Sequence, residues 1–255
     1  SGLGKASIVA LARKNPAHIY FSGRDADRAS ALIAEVTTEM PTARLTCEMS
    51  SLSSVVQATK ELAATAEHLD ILMCNAGVFS VPPALTTASD GYELHFGVNH
   101  VAHALFMKLL LPTLLRSTDA RIVILTSRAF QGPPSGGIQF DKLRTTLSGI
   151  PARFLRYGQS KLANLVYTAE VARRYPQITS VSVHPGIANT DMFKSMRRIE
   201  QFIVYLIERG QVKTPEDVAL TQLWAATVEK DKLVNGEYYE PVGVIGKRTE
   251  LSKRR

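Results

Sequence analysis

The sequence predicts an α/β protein built on a parallel sheet, and three observations predict it. Short β-branched or apolar runs alternate with longer amphipathic stretches from end to end, which is how repeated strand–helix units read in sequence. No repeat or low-complexity linker interrupts that order, so one domain over 1–255 is expected. The 255 residues, 45% of them hydrophobic, suffice to bury the core of one large domain.

Taken in order, the elements begin abnormally. Ser1-Gly2-Leu3-Gly4 runs straight into a helical pattern over Ser7 to Arg13, with the first strand of such a fold lacking ahead of it in residues 1–255. His18 to Ser22, Arg44 to Glu48, Leu69 to Cys74, Arg121 to Thr126, Thr179 to His184 and Glu237 to Glu240 then read as strands. Between them, Asp25 to Met40, Ser53 to Ala66, Gly91 to Leu115, Arg153 to Arg174 and Pro215 to Lys230 carry helical periodicity. The last opens with Thr214-Pro215-Glu216-Asp217, an N-cap followed by proline at the first helical position. A Pro/Gly-rich insertion over 131–137 and an irregular stretch from Asn189 to Gly210 read as surface loops beside a site.

Composition narrows the function classes. Cys47 and Cys74 lie far apart without a Cys-x-x-Cys spacing, which points to reduced, packed thiols and an intracellular, by default cytoplasmic, compartment. The longest apolar run, Phe106 to Leu115, is broken by Lys108 and Pro112 and falls short of the roughly 20 residues a spanning helix requires. An upstream anchor or targeting segment would be invisible here. The net charge of +7 owes much to a basic closing segment over 246–255, which reads as a solvated tail and not as a nucleic-acid patch.

The most informative local feature is Tyr157-Gly-Gln-Ser-Lys161. Four residues apart on a helix, the two side chains share a face one turn from each other. A free phenol titrates near 10 and exchanges protons poorly at neutral pH, but an adjacent cationic Lys161 stabilises its phenolate. Gly2 and Gly4 at the opening of a helix would let backbone N–H groups approach a pyrophosphate, whose charge the helix N-terminus favours.

Several motifs in a fixed order give the chain its resemblance, over nearly every residue, to the short-chain dehydrogenases/reductases, in particular to their retinol-dehydrogenase-like branch. Ser1-Gly2-Leu3-Gly4 resembles the second half of that family's glycine-rich cofactor loop. Asn75-Ala76-Gly77 resembles its Asn-Ala-Gly after the fourth strand, and Phe96-Gly97-Val98-Asn99-His100 the helix with its active-site Asn. Ser127, at the end of the run from Arg121, stands at its catalytic Ser, while Tyr157 to Asn164 reads as the Tyr-x-x-x-Lys signature of the branch. Pro185, Gly186, Ile187 and Thr190 resemble the segment that closes on the nicotinamide. The resemblance implies a Rossmann-type doubly wound sheet with the nicotinamide at the carboxyl ends of the strands.

It also implies roles. Hydride arriving at a carbonyl carbon leaves charge on oxygen, which must be hydrogen-bonded and protonated. Tyr157 would donate that proton, Ser127 hold the oxygen, Lys161 lower the Tyr pKa and bind the nicotinamide ribose, and Asn99 hold a water that links Lys161 to solvent. Alcohol oxidation runs the same groups in reverse. Glu48 and Met49 stand where the family usually shows Asp-Leu against the adenine. An acidic residue at the end of the second strand would accept from a ribose 2′-hydroxyl, but this chain has Arg24, a permanent cation suited to a 2′-phosphate. NADP(H) is therefore expected over NAD(H).

His95, His100 and His103 lack an acidic or sulfur ligand to complete a metal site and read as structural histidines. The apolar run 202–207 reads as core packing, as a lid over a lipophilic carbonyl or alcohol, or as a contact with a membrane surface, and its place after Thr190 favours the lid. The sequence thus predicts an NADP(H)-dependent alcohol–ketone or aldehyde oxidoreductase without nucleic-acid partners, with a homo-oligomer left open. Reduction of a conjugated C=C bond is a lesser alternative. A noncatalytic cofactor-binding or interaction protein, or an inactive fragment, is the reading from a different class, motivated by the lacking first strand.

Overall fold

The computed structural model describes residues 2–23, 25–36, 42–79, 84–86, 90–146, 150–207 and 211–253. In chain order the principal elements are α1 (Gly2–Ala12), β1 (Ile19–Gly23), α2 (Ala26–Val36), β2 (Thr42–Thr46), α3 (Leu52–Thr65) and β3 (Ile71–Cys74). They continue through α4 (Leu94–Phe96), a π-helical turn (Gly97–Val101), α5 (Ala102–Leu114), β4 (Arg121–Leu125), α6 (Ile150–Arg174), β5 (Thr179–Val183) and β6 (Ile187–Ala188). The last part holds α7 (Asp191–Lys194), α8 (Arg198–Ile207), β7 (Val212–Lys213), α9 (Pro215–Thr227), β8 (Tyr238–Glu240), β9 (Val244–Ile245) and α10 (Glu250–Lys253).

Strands β3, β4, β5 and β8 lie side by side and parallel, with β9 added antiparallel at the edge. β1 and β2 form a separate parallel pair, and β6 and β7 a short ladder. This is the mostly parallel, Rossmann-like α/β architecture that the alternation of elements predicts. Among the described residues, the helix α1 comes before any strand.

Strand β4 shows why the sheet must be covered on both faces. All five of its residues are buried. Side chains alternate across a strand, so Ile122 and Ile124 join one core with Leu72 and Cys74 and with Ala102, Leu110 and Leu114 of α5. Val123 and Leu125 join the other, with Val181, Val183 and Ala225 and Ala226 of α9. A third cluster, Phe130, Leu162, Leu165 and Tyr238, packs α6 against β8. Cys47 and Cys74 are buried free thiols, pushed up by desolvation to about 11 and about 12, with Glu48 adding to the shift at Cys47.

The structure departs from the expected elements in several places. The single helix expected over Gly91–Leu115 is broken, because the Ala102 N–H bonds back to the Gly97 carbonyl and widens one turn into a π-helix. The stretch expected to be an irregular loop from Asn189 contains α7 and α8; the buried Glu200 accepts from the Arg197 N–H at 3.0 Å and fixes the first turn of α8. The closing segment is not simply solvated: Leu251 of α10 packs against the cluster of Phe130, Leu162 and Tyr238, because that core is open at the sheet edge. The short strands β6, β7 and β9 are also not among the expected elements, and the end of the helix expected over Asp25–Met40 lies outside the described residues beyond Val36. Thr214 caps α9 as expected, accepting from the Asp217 N–H at 3.1 Å.

Truncating Leu110, fully buried between α5 and the sheet, removes contacts that the rigid β4 wall cannot replace. Leu110→Ala is expected to cost about 2–5 kcal/mol in urea unfolding, whereas Leu109→Ala on the exposed face of the same helix should change the midpoint little.

Candidate active site

At the carboxyl end of β4 the chain turns at Ser127, which has extended backbone and caps a short 3-10 turn by accepting from the Ala129 N–H at 3.2 Å. Its hydroxyl proton is thereby left to donate toward the cavity it lines. α6 crosses directly behind. Gly158 makes the approach possible: a Cβ there would stand 2.6 Å from the Ala129 carbonyl oxygen and 2.8 Å from that of Gly132. Tyr157, the preceding residue, is thus carried to the same cavity as Ser127.

Lys161 follows one turn later. Its ammonium lies 5.5 Å from the Tyr157 ring centre and donates to the Leu125 carbonyl at 3.0 Å. Only 5% of the residue is exposed, and burial lowers its pKa to about 8. Asn164 donates to the same carbonyl at 3.2 Å, and Thr126 donates from its hydroxyl to the Lys161 carbonyl at 2.8 Å. The strand end and the helix are one hydrogen-bonded unit.

Asn99 sits in the π-helical turn, fully buried. It accepts from the Val78 N–H at 2.7 Å and donates to the Val78 carbonyl and to Ser160 Oγ, both at 3.0 Å. Ser160 in turn donates to the Tyr157 carbonyl at 2.7 Å. Asn99 does not itself line the cavity; it stands behind its wall, joining the β3 loop to α6. Gly77 is the passage between them, since a Cβ there would lie 3.2 Å from Asn99 Oδ1 and 3.8 Å from Lys161 Nζ.

The cavity measures about 1840 Å³ and runs along the carboxyl ends of the strands. Gly2, Leu3, Gly4, Glu48, Met49, Asn75, Ala76 and Gly77 line one part of it, and Ser127, Tyr157, Lys161, Pro185, Gly186, Ile187 and Thr190 the other. These are the residues the sequence singles out, except Asn99, behind the wall, and Ser1 and Arg24, which lie outside the described residues. Two glycines again mark close approaches, for a Cβ on Gly4 would be 2.9 Å from Asn75 Nδ2 and one on Gly2 3.1 Å from Thr190 Cγ2. Asn75 also accepts from Gln222 at 3.1 Å, and Gln222 donates to Ser7 of α1 at 2.7 Å, so the loop after β3 holds the first helix. The Gly2–Gly4 turn at the N-terminus of the 11-residue α1 offers backbone N–H groups to the cavity, which fits a pyrophosphate.

Sequence reasoning missed part of the wall. Phe79, Leu94, Val98, Phe154 and Met192 give it an apolar surface, which Val204 of the 202–207 run extends. Phe79 packs edge-on to Tyr157 at 4.6 Å, a contact with no local signal because it joins the β3 loop to α6. Arg28, four residues after Arg24 in the sequence, also lines the cavity and pairs with Asp25 and Asp191. Arg128 and Glu240 form a charged pair beside Ser127.

The three histidines are each engaged separately. His95 bonds Glu93 at 2.8 Å, His100 bonds Asn164 at 3.0 Å, and His103 donates to the Ala76 carbonyl at 2.8 Å. Among the described residues no three His, Cys, Asp or Glu side chains stand together as metal ligands, and no helix is long and apolar enough to cross a membrane.

Known proteins resemble this chain in sequence and in fold. The sequence model of a family described as short chain dehydrogenase matches residues 1–139. An uncharacterized oxidoreductase of Schizosaccharomyces pombe is 34% identical over 96% of this chain and 75% of its own length. Retinol dehydrogenase 11 of Mus musculus is 32% identical over 94% and 74%, and retinol dehydrogenase 14 of Homo sapiens 31% over 94% and 75%. Among solved structures, an uncharacterized protein from Mycobacterium paratuberculosis superposes with a TM-score of 0.73 at 26% identity, covering 100% of this chain and 84% of that one. A blue fluorescent protein from a metagenomic library, in complex with NADPH, gives 0.73 at 22% identity, covering 95% and 93%.

Two predictions follow from the contacts of the site. Gly158→Ala forces α6 away from the Ala129 and Gly132 carbonyls and is expected to cost about 1–3 kcal/mol of stability, read by urea denaturation. His103 sets a pH dependence. Burial first, then the charges of Lys161 and His100, pull its pKa from 6.5 to about 4 against the opposing bond to Ala76. Between those values the unfolded chain binds a proton that the folded protein refuses, so stability is full above about 6.5 and is lost as pH falls toward 4. The urea midpoint should drop between pH 7 and pH 5, and drop less in His103→Gln.

Proposed function

The chain belongs to the short-chain dehydrogenase/reductase family, with retinol dehydrogenases among its relatives, and from that premise we propose that it interconverts an alcohol and a ketone or aldehyde with NADP(H). The single observation that carries the reading is the buried Lys161 ammonium beside the Tyr157 ring, on a cavity that Ser127 and the Gly2–Gly4 turn also line.

In the proposed mechanism Ser127 donates a hydrogen bond from its hydroxyl to the substrate oxygen, keeping its own proton, and holds that oxygen near the Tyr157 phenol. Lys161 stabilises negative charge on that phenol, because a cation in a dry site acts through a low dielectric. Tyr157 therefore gives its proton to the oxygen as charge develops there, or takes it back when an alcohol is oxidised. The nicotinamide, when bound, supplies or accepts the hydride.

Gly2, Leu3 and Gly4 would hold the pyrophosphate through backbone N–H groups, Glu48 and Met49 the adenine end, and Pro185 to Thr190 the nicotinamide end. Arg24, read from the sequence, favours NADP(H), and Arg28 brings a cation to the cavity. The apolar wall of Phe79, Leu94, Phe154, Met192 and Val204 favours a lipophilic substrate.

Titration with NADPH and NADH, followed by nicotinamide fluorescence, is expected to show preference for NADPH that Arg24→Glu abolishes. Tyr157→Phe should bind the cofactor as the parent does but turn over a lipophilic ketone about 10²–10⁴-fold more slowly. Tighter binding of NADH would overturn the cofactor assignment, and binding of neither would favour the noncatalytic reading.

A further inference from the structure

Beneath Tyr157 lies a buried charged cluster that the mechanism does not use. Glu93, His95 and Arg156 are 3%, 0% and 2% exposed. The Glu93 carboxylate accepts from His95 Nδ1 at 2.8 Å and, as the N-cap of α4, from the backbone N–H groups of His95 at 3.1 Å and Phe96 at 2.9 Å. Its Oε1 also stands 3.4 Å from Nε of Arg156. One carboxylate therefore touches both helical segments: the one that leads into the Asn99 turn and, through the residue before Tyr157, the one that carries Tyr157 and Lys161.

On its inner side the phenol ring meets His95 of this cluster and an aromatic pair. His95 meets it edge-on at 6.4 Å, Phe79 edge-on at 4.6 Å, and Phe154 backs Phe79 at 5.4 Å. Glu93 extends the tie outward, its own N–H donating to the Leu143 carbonyl at 2.7 Å.

Fold stability is a weak reason for such a cluster. Desolvating a carboxylate and a guanidinium costs several kcal/mol per ion, and well-packed apolar residues of the same volume commonly stabilise as well. What an ion pair with fixed donors adds is a single permitted arrangement of the helices it joins. We propose that Glu93 is a positioning residue that, through His95 and Arg156, fixes the Tyr157 phenol relative to Asn99 and Lys161. The proposal rests on the reading of Tyr157 as the proton donor, and a misplacement of about 1 Å at such a group costs on the order of a hundredfold in rate.

The test pairs Glu93→Gln with the charge-balanced double variant Glu93→Gln/Arg156→Met, which leaves no buried ion without a counter-charge. With 13C-labelled tyrosine, the Tyr157 signal is assigned by its loss in Tyr157→Phe. In the double variant that signal is expected to broaden or split while those of Tyr238 and Tyr239 stay in place. NADPH affinity should remain within about threefold, and kcat for a lipophilic ketone should fall about tenfold to a hundredfold with little change in KM. A double variant whose Tyr157 signal and kcat match the parent overturns the proposal. So does one that no longer folds, since the cluster is then a stability device. If the parent turns over no carbonyl compound and Tyr157→Phe changes nothing, the proposed reaction fails, while the tyrosine spectrum still reads the positioning.

Discussion

The hydrogen bond from the Lys161 ammonium to the Leu125 carbonyl is the interaction around which the site is arranged. Burying this amine is costly: a shift from 10.5 to about 8 corresponds to about 3 kcal/mol against the charged form. The protein offsets the cost locally. Leu125 ends a strand buried at every position, whose side chains join packed cores on both faces of the sheet, and Asn164 donates to its carbonyl beside Lys161. The cation is thereby held at the strand end with one acceptor fixed by the sheet, one turn from the phenol whose charge it would balance.

Rigidity spreads from that junction through polar contacts that leave little freedom at the cavity wall. Asn99 binds both backbone groups of Val78 and, through Ser160, the Tyr157 carbonyl, so the π-helical turn, the β3 loop and α6 move together. The glycines at 4, 77 and 158 allow the approaches, because each sits where a Cβ would press on Asn75, Asn99 or the carbonyls of Ala129 and Gly132. The apolar side of the cavity is built differently. It draws on Phe79, Phe154 and Val204 of α8, and α8 is tied to α6 by the buried Glu200 with Arg153 at 3.3 Å. A polar, tightly bonded floor for chemistry thus faces an apolar wall.

Much of this was legible in the sequence, and the reasons are local. Strands β3, β4 and β5 announce themselves as short apolar or β-branched runs, and their bounds fall within two residues of expectation. The helix break at Gly97 was not legible, because it depends on a packing contact: a Cβ at Gly97 would stand 2.3 Å from Thr86 Cγ2 on a separate segment. α8 was hidden because its apolar run reads equally well as a loop covering a pocket until the buried Glu200 gives it an inward face.

The sequence by itself determined the order of strands and helices and the Tyr157–Lys161 pairing, since both follow from periods that a few neighbouring residues set. It also placed Ser127 at a strand end and Gly2 and Gly4 at a helix start. Only the tertiary structure decided how deep Lys161 lies, that Asn99 stands behind the cavity wall, and that Glu93 reaches Arg156 across 63 residues of chain. Those outcomes depend on solvent exclusion and on contacts between segments distant in sequence, which no local period encodes.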